Sequence, residues 1–354
     1  MSRGKVAVGL SGGVDSSAAA ALLLDAGYEC IAVTMRHLPA EAANSCCSLE
    51  AVVDARRVAR KLGIPHYLVD VEGAFRHDVI EPFEDAYLRG VTPNPCALCN
   101  RHIKFGKLWE WARGQGADYM ATGHYAQIRA GEQGLELWRG ASRDKDQSYI
   151  LYTLTQDDLR HVLFPIGHLQ KPMVRDLVEA RGLATARKPD SQELCFVPKN
   201  NYREYLRTHR PEAVQEGRIV DSGGREVGRH QGIAFHTVGQ RRGLGVQAPV
   251  PLYVLGVNPE DNEVVVGPRE EGLATGMTIR DVVGPDVPAS IAQGHVQVRA
   301  HGHDRPASWT PGEEGAEIRF ESPEWGVTPG QVAVLYEGDR LRAGGRITRD
   351  IRRA

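Results

Sequence analysis

Two sets of side chains in this 354-residue chain have the types and spacing to do chemistry. The first is thiol. Cys96-Ala97-Leu98-Cys99 follows Thr92-Pro93-Asn94-Pro95, and Cys195 follows Asp190-Ser191-Gln192-Glu193-Leu194. Only a deprotonated thiol is strongly nucleophilic or metal-binding. A lone cysteine is most often an inert buried hydrophobe, but a double-proline lead and a polar run are not core surroundings. The prolines flanking Asn94 restrict the backbone to extended or turn states and so fix where both thiols point. The six cysteines are at 30, 46, 47, 96, 99 and 195, with none in the last 159 residues. A disulfide framework would not be so one-sided, so reactive or metal-binding thiols in an N-terminal domain fit better. Cys46-Cys47 is a further thiol pair to which no role is assigned.

The second set is a loop. Val6-Ala7-Val8 leads into Gly9-Leu10-Ser11-Gly12-Gly13-Val14-Asp15-Ser16-Ser17, and an alanine- and leucine-rich run extends from Ala18 to Leu24. This pattern predicts strand, glycine turn and helix. Paired glycines let the backbone approach a ligand without a Cβ in the way, and the free amides of the helix start face an anion, for which phosphate is the natural guest. With no lysine the loop does not match G-x-x-x-x-G-K-S/T, which disfavours an ordinary Walker site. It resembles instead the S-G-G-x-D-S motif of the PP-loop ATP pyrophosphatases. That resemblance implies ATP binding and cleavage between the α and β phosphates with adenylate passed to an acceptor oxygen; Asp15 in the loop is a candidate to hold Mg²⁺.

The elements that must position these groups follow from periodicity. Apolar runs at Val6–Leu10, Cys30–Met35 and His66–Val69 alternate with helical patterns at Ala18–Asp25 and Leu49–Leu62. This is β-α-β-α-β, an α/β fold with a parallel sheet, and ligands bind at the carboxyl ends of its strands. Met35 and Gly123 close two such strands. A helix is expected near Ala74–Leu88, and a helix-like run from Cys99 through Lys104 and Leu108 to Trp111. Beyond about Asn200, glycines and short β-prone runs dominate: Gly217–Val220, Ile233–Val238, Leu252–Val257, Glu263–Val266, His295–Val298, Glu317–Phe320 and Gln331–Tyr336. These predict small antiparallel sheets or a barrel. We expect an ATP-binding catalytic domain at 1–201, a small central β-rich domain at 202–272 and a C-terminal β-barrel at 273–354. Length and a hydrophobic content of 42% suit such a division. The net charge of −2 gives nucleic-acid binding no support from overall balance, leaving it to local patches such as Arg340, Arg342, Arg346, Arg349, Arg352 and Arg353. No apolar run approaches the roughly 20 residues of a membrane span, so no membrane association and a cytoplasmic location are expected.

Further motifs occur in order along nearly the whole chain: Cys99-Asn100 with Ile103-Lys104-Phe105, Ala121-Thr122-Gly123-His124-Tyr125-Ala126, Lys145-Asp146-Gln147-Ser148-Tyr149, Asp190 to Phe196, Thr237-Val238-Gly239-Gln240-Arg241-Arg242-Gly243-Leu244-Gly245, and Thr328-Pro329-Gly330-Gln331. Together they resemble the tRNA-specific 2-thiouridylases. The resemblance implies ATP contacts from Gly9 to Ser16, at Met35 and at Gly123. It implies Cys99 as nucleophile, Cys195 as carrier of a persulfide from a sulfur-donor protein, and a disulfide bond. It also implies tRNA contacts by Asn94, Pro95, Cys96, His124, Lys145, Asp146, Gln147, Arg299 and Gln331, with tRNA as partner and a C-terminal barrel that binds it. The residue after Arg299 is Ala300 where the family has an aromatic. Many relatives have aspartate where this chain has Cys96, so Cys96, Cys99 and Cys195 offer three thiolates. Three routes stay open: a 4Fe-4S cluster with one open iron site, a metal-free persulfide relay, or zinc completed by His102 or His124. Two other functions use a similar loop: a PP-loop ligase acting on a small metabolite, and a sulfur or cluster carrier with a nucleotide switch.

Overall fold

The computed structural model describes residues 3–38, 49–190, 194–300 and 302–352. Cys46, Cys47, the stretch from Ser191 to Glu193, and Arg353 lie outside these residues.

The N-terminal part opens with β1 (Lys5–Gly9), α1 (Val14–Asp25), β2 (Glu29–Arg36), α2 (Leu49–Leu62) and β3 (His66–Asp70). The chain then runs through α3 (Glu72–Phe75), a π-helical turn (Arg76–Ile80) and α4 (Glu81–Leu88). After a proline-rich link come α5 (Pro95–Leu98), a second π-helical stretch (Cys99–Lys107) and α6 (Leu108–Gly114). The part closes with β4 (Tyr119–Ala121), a hairpin of β5 (Ala126–Gly131) and β6 (Gly134–Arg139), α7 (Gln156–Leu159), β7 (Val162–Leu163) and α8 (Lys171–Ala180). Five strands form a sheet in the order β3-β2-β1-β4-β7, with every neighbouring pair parallel. Val6, Ala7 and Val8 are fully buried, as expected where helices cover both faces of a parallel sheet. Strand order reverses at β1, and a reversal of this kind opens a crevice at the carboxyl edge. Gly9 ends β1 there, so the glycine loop lies at the switch point. The fully buried Ala18, Ala19 and Ala20 of α1 share a core with Val174 and Val178 of α8.

α9 (Tyr202–His209) leads into β8 (Gly217–Asp221), β9 (Glu226–His230), β10 (Tyr253–Asn258) and β11 (Glu263–Gly267), a sheet in the order β10-β11-β8-β9. The expected strand at Ile233–Val238 is instead a short 3-10 turn over Ile233–Phe235. Its Ala234 and Phe235 insert into the cluster around α4 and α9 rather than pairing in a sheet.

The last six strands are β12 (Leu273–Val283), β13 (Ile291–Gln297), β14 (Arg305–Gly312), β15 (Gly315–Trp325), β16 (Val332–Glu337) and β17 (Arg340–Arg352). They follow the order β12-β15-β14-β13-β16-β17, and pairing of β12 with β17 closes the barrel. The β5–β6 hairpin of the N-terminal part extends it through Arg340 opposite Trp138 and Leu341 opposite Leu137. The arginines read as a basic terminus mostly belong to β17. Leu341, Ala343 and Ile347 of that strand are fully buried, while Arg340 pairs with Glu136, Arg342 with Asp286 and Arg346 with Asp281, each at 2.9 Å.

Candidate active site

The glycine loop is shaped by contacts that tolerate no side chain. Gly12 has φ +72°, and a Cβ there would stand 2.4 Å from the Ala51 carbonyl oxygen. Gly13 begins α1 without a side-chain cap, so the first-turn amides keep their capacity for an anion. The Ser17 hydroxyl donates to the Gly13 carbonyl at 2.7 Å, the Ser16 hydroxyl to the same oxygen at 3.2 Å, and the Ser11 amide to Ser16 Oγ at 3.2 Å. Leu10 and Val14 are core residues, 2% and 3% exposed, so they can offer a ligand only their backbone. Gly123, just past β4, lies against the start of α1: a Cβ there would stand 2.6 Å from the Asp15 carbonyl carbon. The Thr34 hydroxyl donates to the Leu10 carbonyl at 2.7 Å, holding the end of β2, with half-buried Met35, beside the loop.

Beside the loop lies a charge cluster that sequence reading only partly anticipated. Lys171 Nζ donates to both Asp15 carboxylate oxygens at 2.7 and 2.8 Å, and Tyr125 Oη donates to Asp15 at 2.8 Å. Asp190 receives Lys145 at 2.7 Å, Lys171 at 2.9 Å and Arg175 at 2.7 Å. Burial pushes the Asp190 carboxyl up, but hydrogen bonds from Lys145 and Lys171 and their charges outweigh it and hold the group at about 2. Burial, then the Asp15 charge, raises the Tyr125 phenol far above its ordinary range. Lys145 and its neighbour Asp146 do not pair as a surface couple would. Asp146 instead binds Arg139 at 3.0 Å and the Gly140 amide at 2.9 Å, and Gln147 Oε1 accepts from the Tyr125 amide at 3.1 Å. Lys171 and Arg175 were missed by sequence reading. Their one local signal is Lys171-Pro172 at a helix start followed by an arginine at i+4, which puts both cations on one face of α8.

Cys96 lies on α5, and Cys99 follows its last residue. Asn94 Oδ1 accepts from the Ala97 amide at 3.2 Å and caps the helix, and Pro95 opens it. Cys96 is exposed, Cys99 buried and Cys195 half-buried; with buried Cys30 these are thiols, and the expected disulfide is not among them. Cys99, Cys195 and Met35 meet in one hydrophobic cluster with Phe75, Phe83 and Phe196. Among the described residues no three His, Cys, Asp or Glu side chains are gathered to hold a metal ion. Neither the three-thiolate set nor its completion by His102 or His124 is therefore assembled. His124 is buried and shares a 2.7 Å hydrogen bond between Nδ1 and the Thr122 hydroxyl. Burial, then the Lys104 charge, holds its pKa well below the ordinary value and keeps it neutral.

The barrel reaches this segment. Gln331 Nε2 donates to the carbonyls of Thr92 and Pro93 at 3.1 and 3.0 Å, and the Thr92 amide donates to the Pro329 carbonyl at 3.1 Å. Arg299 is half exposed, with its guanidinium on the Trp325 carbonyl at 2.8 Å and on Glu324 at 3.3 Å. Among the described residues no helix is long and apolar enough to cross a membrane.

Three family models match consecutive parts of the chain: the tRNA methyl transferase HUP domain at 4–199, the tRNA methyl transferase PRC-barrel domain at 203–268 and the aminomethyltransferase beta-barrel domain at 283–347. The chain is similar to the tRNA-specific 2-thiouridylase MnmA of Carboxydothermus hydrogenoformans, 45% identical with 98% of each chain covered. Identity to the protein of that name from a Roseiflexus species is 46%, covering 98% of this chain and 100% of the relative. For that of Geobacter metallireducens it is 46%, covering 97% and 96%. With a parallel sheet, a glycine loop at its switch point and relatives matched from end to end, the chain belongs to the family of tRNA-specific 2-thiouridylases.

Proposed function

We propose that the chain is an ATP-dependent tRNA-uridine 2-sulfurtransferase acting on the wobble uridine. The observation that carries this reading is one hydrophobic cluster that holds Cys99 and has Cys195, distant in sequence, and Met35, at the strand end beside the phosphate loop, packed against it. Replacing a carbonyl oxygen by sulfur needs that oxygen turned into a leaving group and a sulfur nucleophile brought to the same carbon. Adenylation of uracil O2, with release of pyrophosphate, does the first. The loop from Gly9 to Ser16, with Met35 and Gly123, would hold the nucleotide. Asp15, its carboxylate about a third exposed at 32% in the first turn of α1, fits a ligand for Mg²⁺, which would offset phosphate charge.

For the second need, half-buried Cys195 is accessible to a donor protein that loads it as a persulfide. The terminal sulfur attacks C2 as AMP leaves. The Cys99 thiolate then attacks Cys195 Sγ, freeing the thiocarbonyl and leaving a Cys99–Cys195 disulfide for an external thiol reductant to reopen. Sulfur and electrons balance without a metal. Asn94, Pro95 and Cys96 would flank the extruded base, and His124, Lys145, Asp146, Gln147, Arg299 and Gln331 are the remaining candidates near the RNA. We assign catalysis to 1–201, the central sheet to 202–272 and RNA binding to the barrel at 273–354. The test is Cys195→Ser: it should still release pyrophosphate when tRNA is added yet form no 2-thiouridine in digested tRNA. Normal thiouridine yield would remove Cys195 from the reaction, and pyrophosphate release indifferent to tRNA would favour a small-metabolite ligase.

A further inference from the structure

The charge cluster on α8 is more than an ion pair needs. One carboxylate, that of Asp190, receives an ammonium from Lys145, an ammonium from Lys171 and a guanidinium from Arg175, at 2.7, 2.9 and 2.7 Å. An aspartate is neutralised by one cation, whereas three convergent cationic donors match the charge and oxygen count of a phosphate. The cluster is built rather than accidental. The Lys171 side chain is only 11% exposed, and burying an ammonium is costly unless it is fully paired. Arg175 is fixed by donating to the carbonyls of Ala186 and Lys188 at 2.8 and 2.9 Å. The cluster also opens on the phosphate loop, because Lys171 bridges Asp190 to Asp15 in the first turn of α1, whose N-terminus has no side-chain cap. Three cations facing two carboxylates leave one positive charge beside amides that already favour an anion.

We propose that Lys145, Lys171 and Arg175 form the receiving site for the β- and γ-phosphates of the nucleotide and for the pyrophosphate it releases, and that in the nucleotide-free chain the Asp190 carboxylate occupies their place. This rests on the ATP reading above and extends it to residues outside the glycine loop. Both partners of Lys171 are exchangeable: a divalent cation can replace the ammonium at Asp15, and a phosphate oxygen can replace Asp190 at the ammonium. Asp190 is then an internal competitor that polyphosphate must displace. A nucleotide lacking the outer phosphates does not meet that competition.

The test is calorimetric titration of inorganic pyrophosphate, and separately AMP, into the full chain and its Lys145→Ala, Lys171→Ala and Asp190→Asn variants, with thermal melts to confirm folding. Removing one cationic donor should weaken pyrophosphate binding about tenfold while AMP affinity stays within about twofold. Asp190→Asn should tighten pyrophosphate binding about tenfold by removing the competing charge. A bracing role for Asp190 predicts the opposite, weaker or unchanged binding. Pyrophosphate affinity unmoved by both lysine variants, no tightening in Asp190→Asn, or AMP binding with no pyrophosphate binding at all would overturn the proposal and leave the nucleotide site standing. Wild-type protein that binds neither ligand would overturn the nucleotide reading itself. Should Lys171→Ala fail to fold, Lys145→Ala still decides, since the Lys145 ammonium is a third exposed, at 34%.

Discussion

Gly123 tests whether the nucleotide site is held by backbone packing. In Gly123→Ala the new Cβ would stand 2.6 Å from the Asp15 carbonyl carbon, 2.7 Å from the Ser16 amide nitrogen and 3.0 Å from Asp15 Cβ. Ordinary contacts between such atoms are about 3.5–4.0 Å, so the start of α1 must retreat by about 1 Å. It cannot retreat as a rigid helix, because Ala18, Ala19, Ala20 and Ala21 are fully buried behind it. The displacement therefore falls on Ser11–Ser16. Overpacking of this kind costs about 1–3 kcal/mol. If about 2 kcal/mol of it is expressed at the loop, ATP affinity falls about thirtyfold. The assay is calorimetric ATP titration beside urea unfolding, with Gly27→Ala as control. Gly27 follows the far end of α1 and has φ +83°, but nothing lies within 4 Å of its Cβ position. Its variant should lose stability through backbone strain alone and bind ATP normally. Gly123→Ala with wild-type affinity and wild-type stability would refute the reasoning.

Gln331→Ala removes the donor shared by the Thr92 and Pro93 carbonyls; we expect thiolation turnover to fall about tenfold or more, as for about 1–3 kcal/mol of lost support, with ATP affinity unchanged. Equal losses in both measurements would indicate general unfolding instead. His236 is buried, and that burial, with the nearby His230 and Arg203 charges, lowers its pKa to about 4. Because the unfolded imidazole binds its proton near the ordinary value of about 6.5, stability should be full above that pH and fall as pH drops toward 4, by about 3 kcal/mol at most. Urea midpoints at pH 7 and pH 4.5 should converge in His236→Asn, and an unchanged pH dependence in that variant would remove His236 as the cause.

What the sequence disclosed, and what it hid, divides along the range of the interactions. The glycine loop was legible because a tight turn, a close ligand approach and a helix start dictate residue types in consecutive order. β1 and β2 were legible because burial on both faces leaves Val6-Ala7-Val8 and Ile31-Ala32-Val33 apolar throughout. β17 was not, since Gly344-Gly345 interrupts its alternation and its outward arginines resemble a solvated tail. β9 has a single strongly apolar residue, Val227, and pairs along one side only, with β8. Lys171 and Arg175 share a face of α8, but their convergence with Lys145, from a separate turn, on Asp190 is tertiary. No local pattern carries that. The choice among sulfur routes stayed open for the same reason: Cys-x-x-Cys spacing says nothing of where Cys195 lies relative to it.

The thiol helix shows how the later domains bear on the chemistry of the first. In the reaction proposed above, a nucleophile that must exclude water suits the buried position of Cys99, and a carrier that must meet a donor protein suits the partly open position of Cys195. The position of Cys99 depends on where α5 begins. Its first turn is set locally by the Asn94 cap and Pro95, but the preceding Thr92-Pro93 has no partner within its own helix. Its polar groups are taken by Pro329 and Gln331 of the barrel, and the Thr92 hydroxyl lies 3.4 Å from that of Thr237 in the central part. Gly330 allows the approach, since a Cβ there would stand 2.2 Å from Val91 Cγ1 and 2.8 Å from the Thr92 carbonyl oxygen. In the proposed reaction an RNA seated on the barrel would bear on the loop that leads into Cys96 and Cys99.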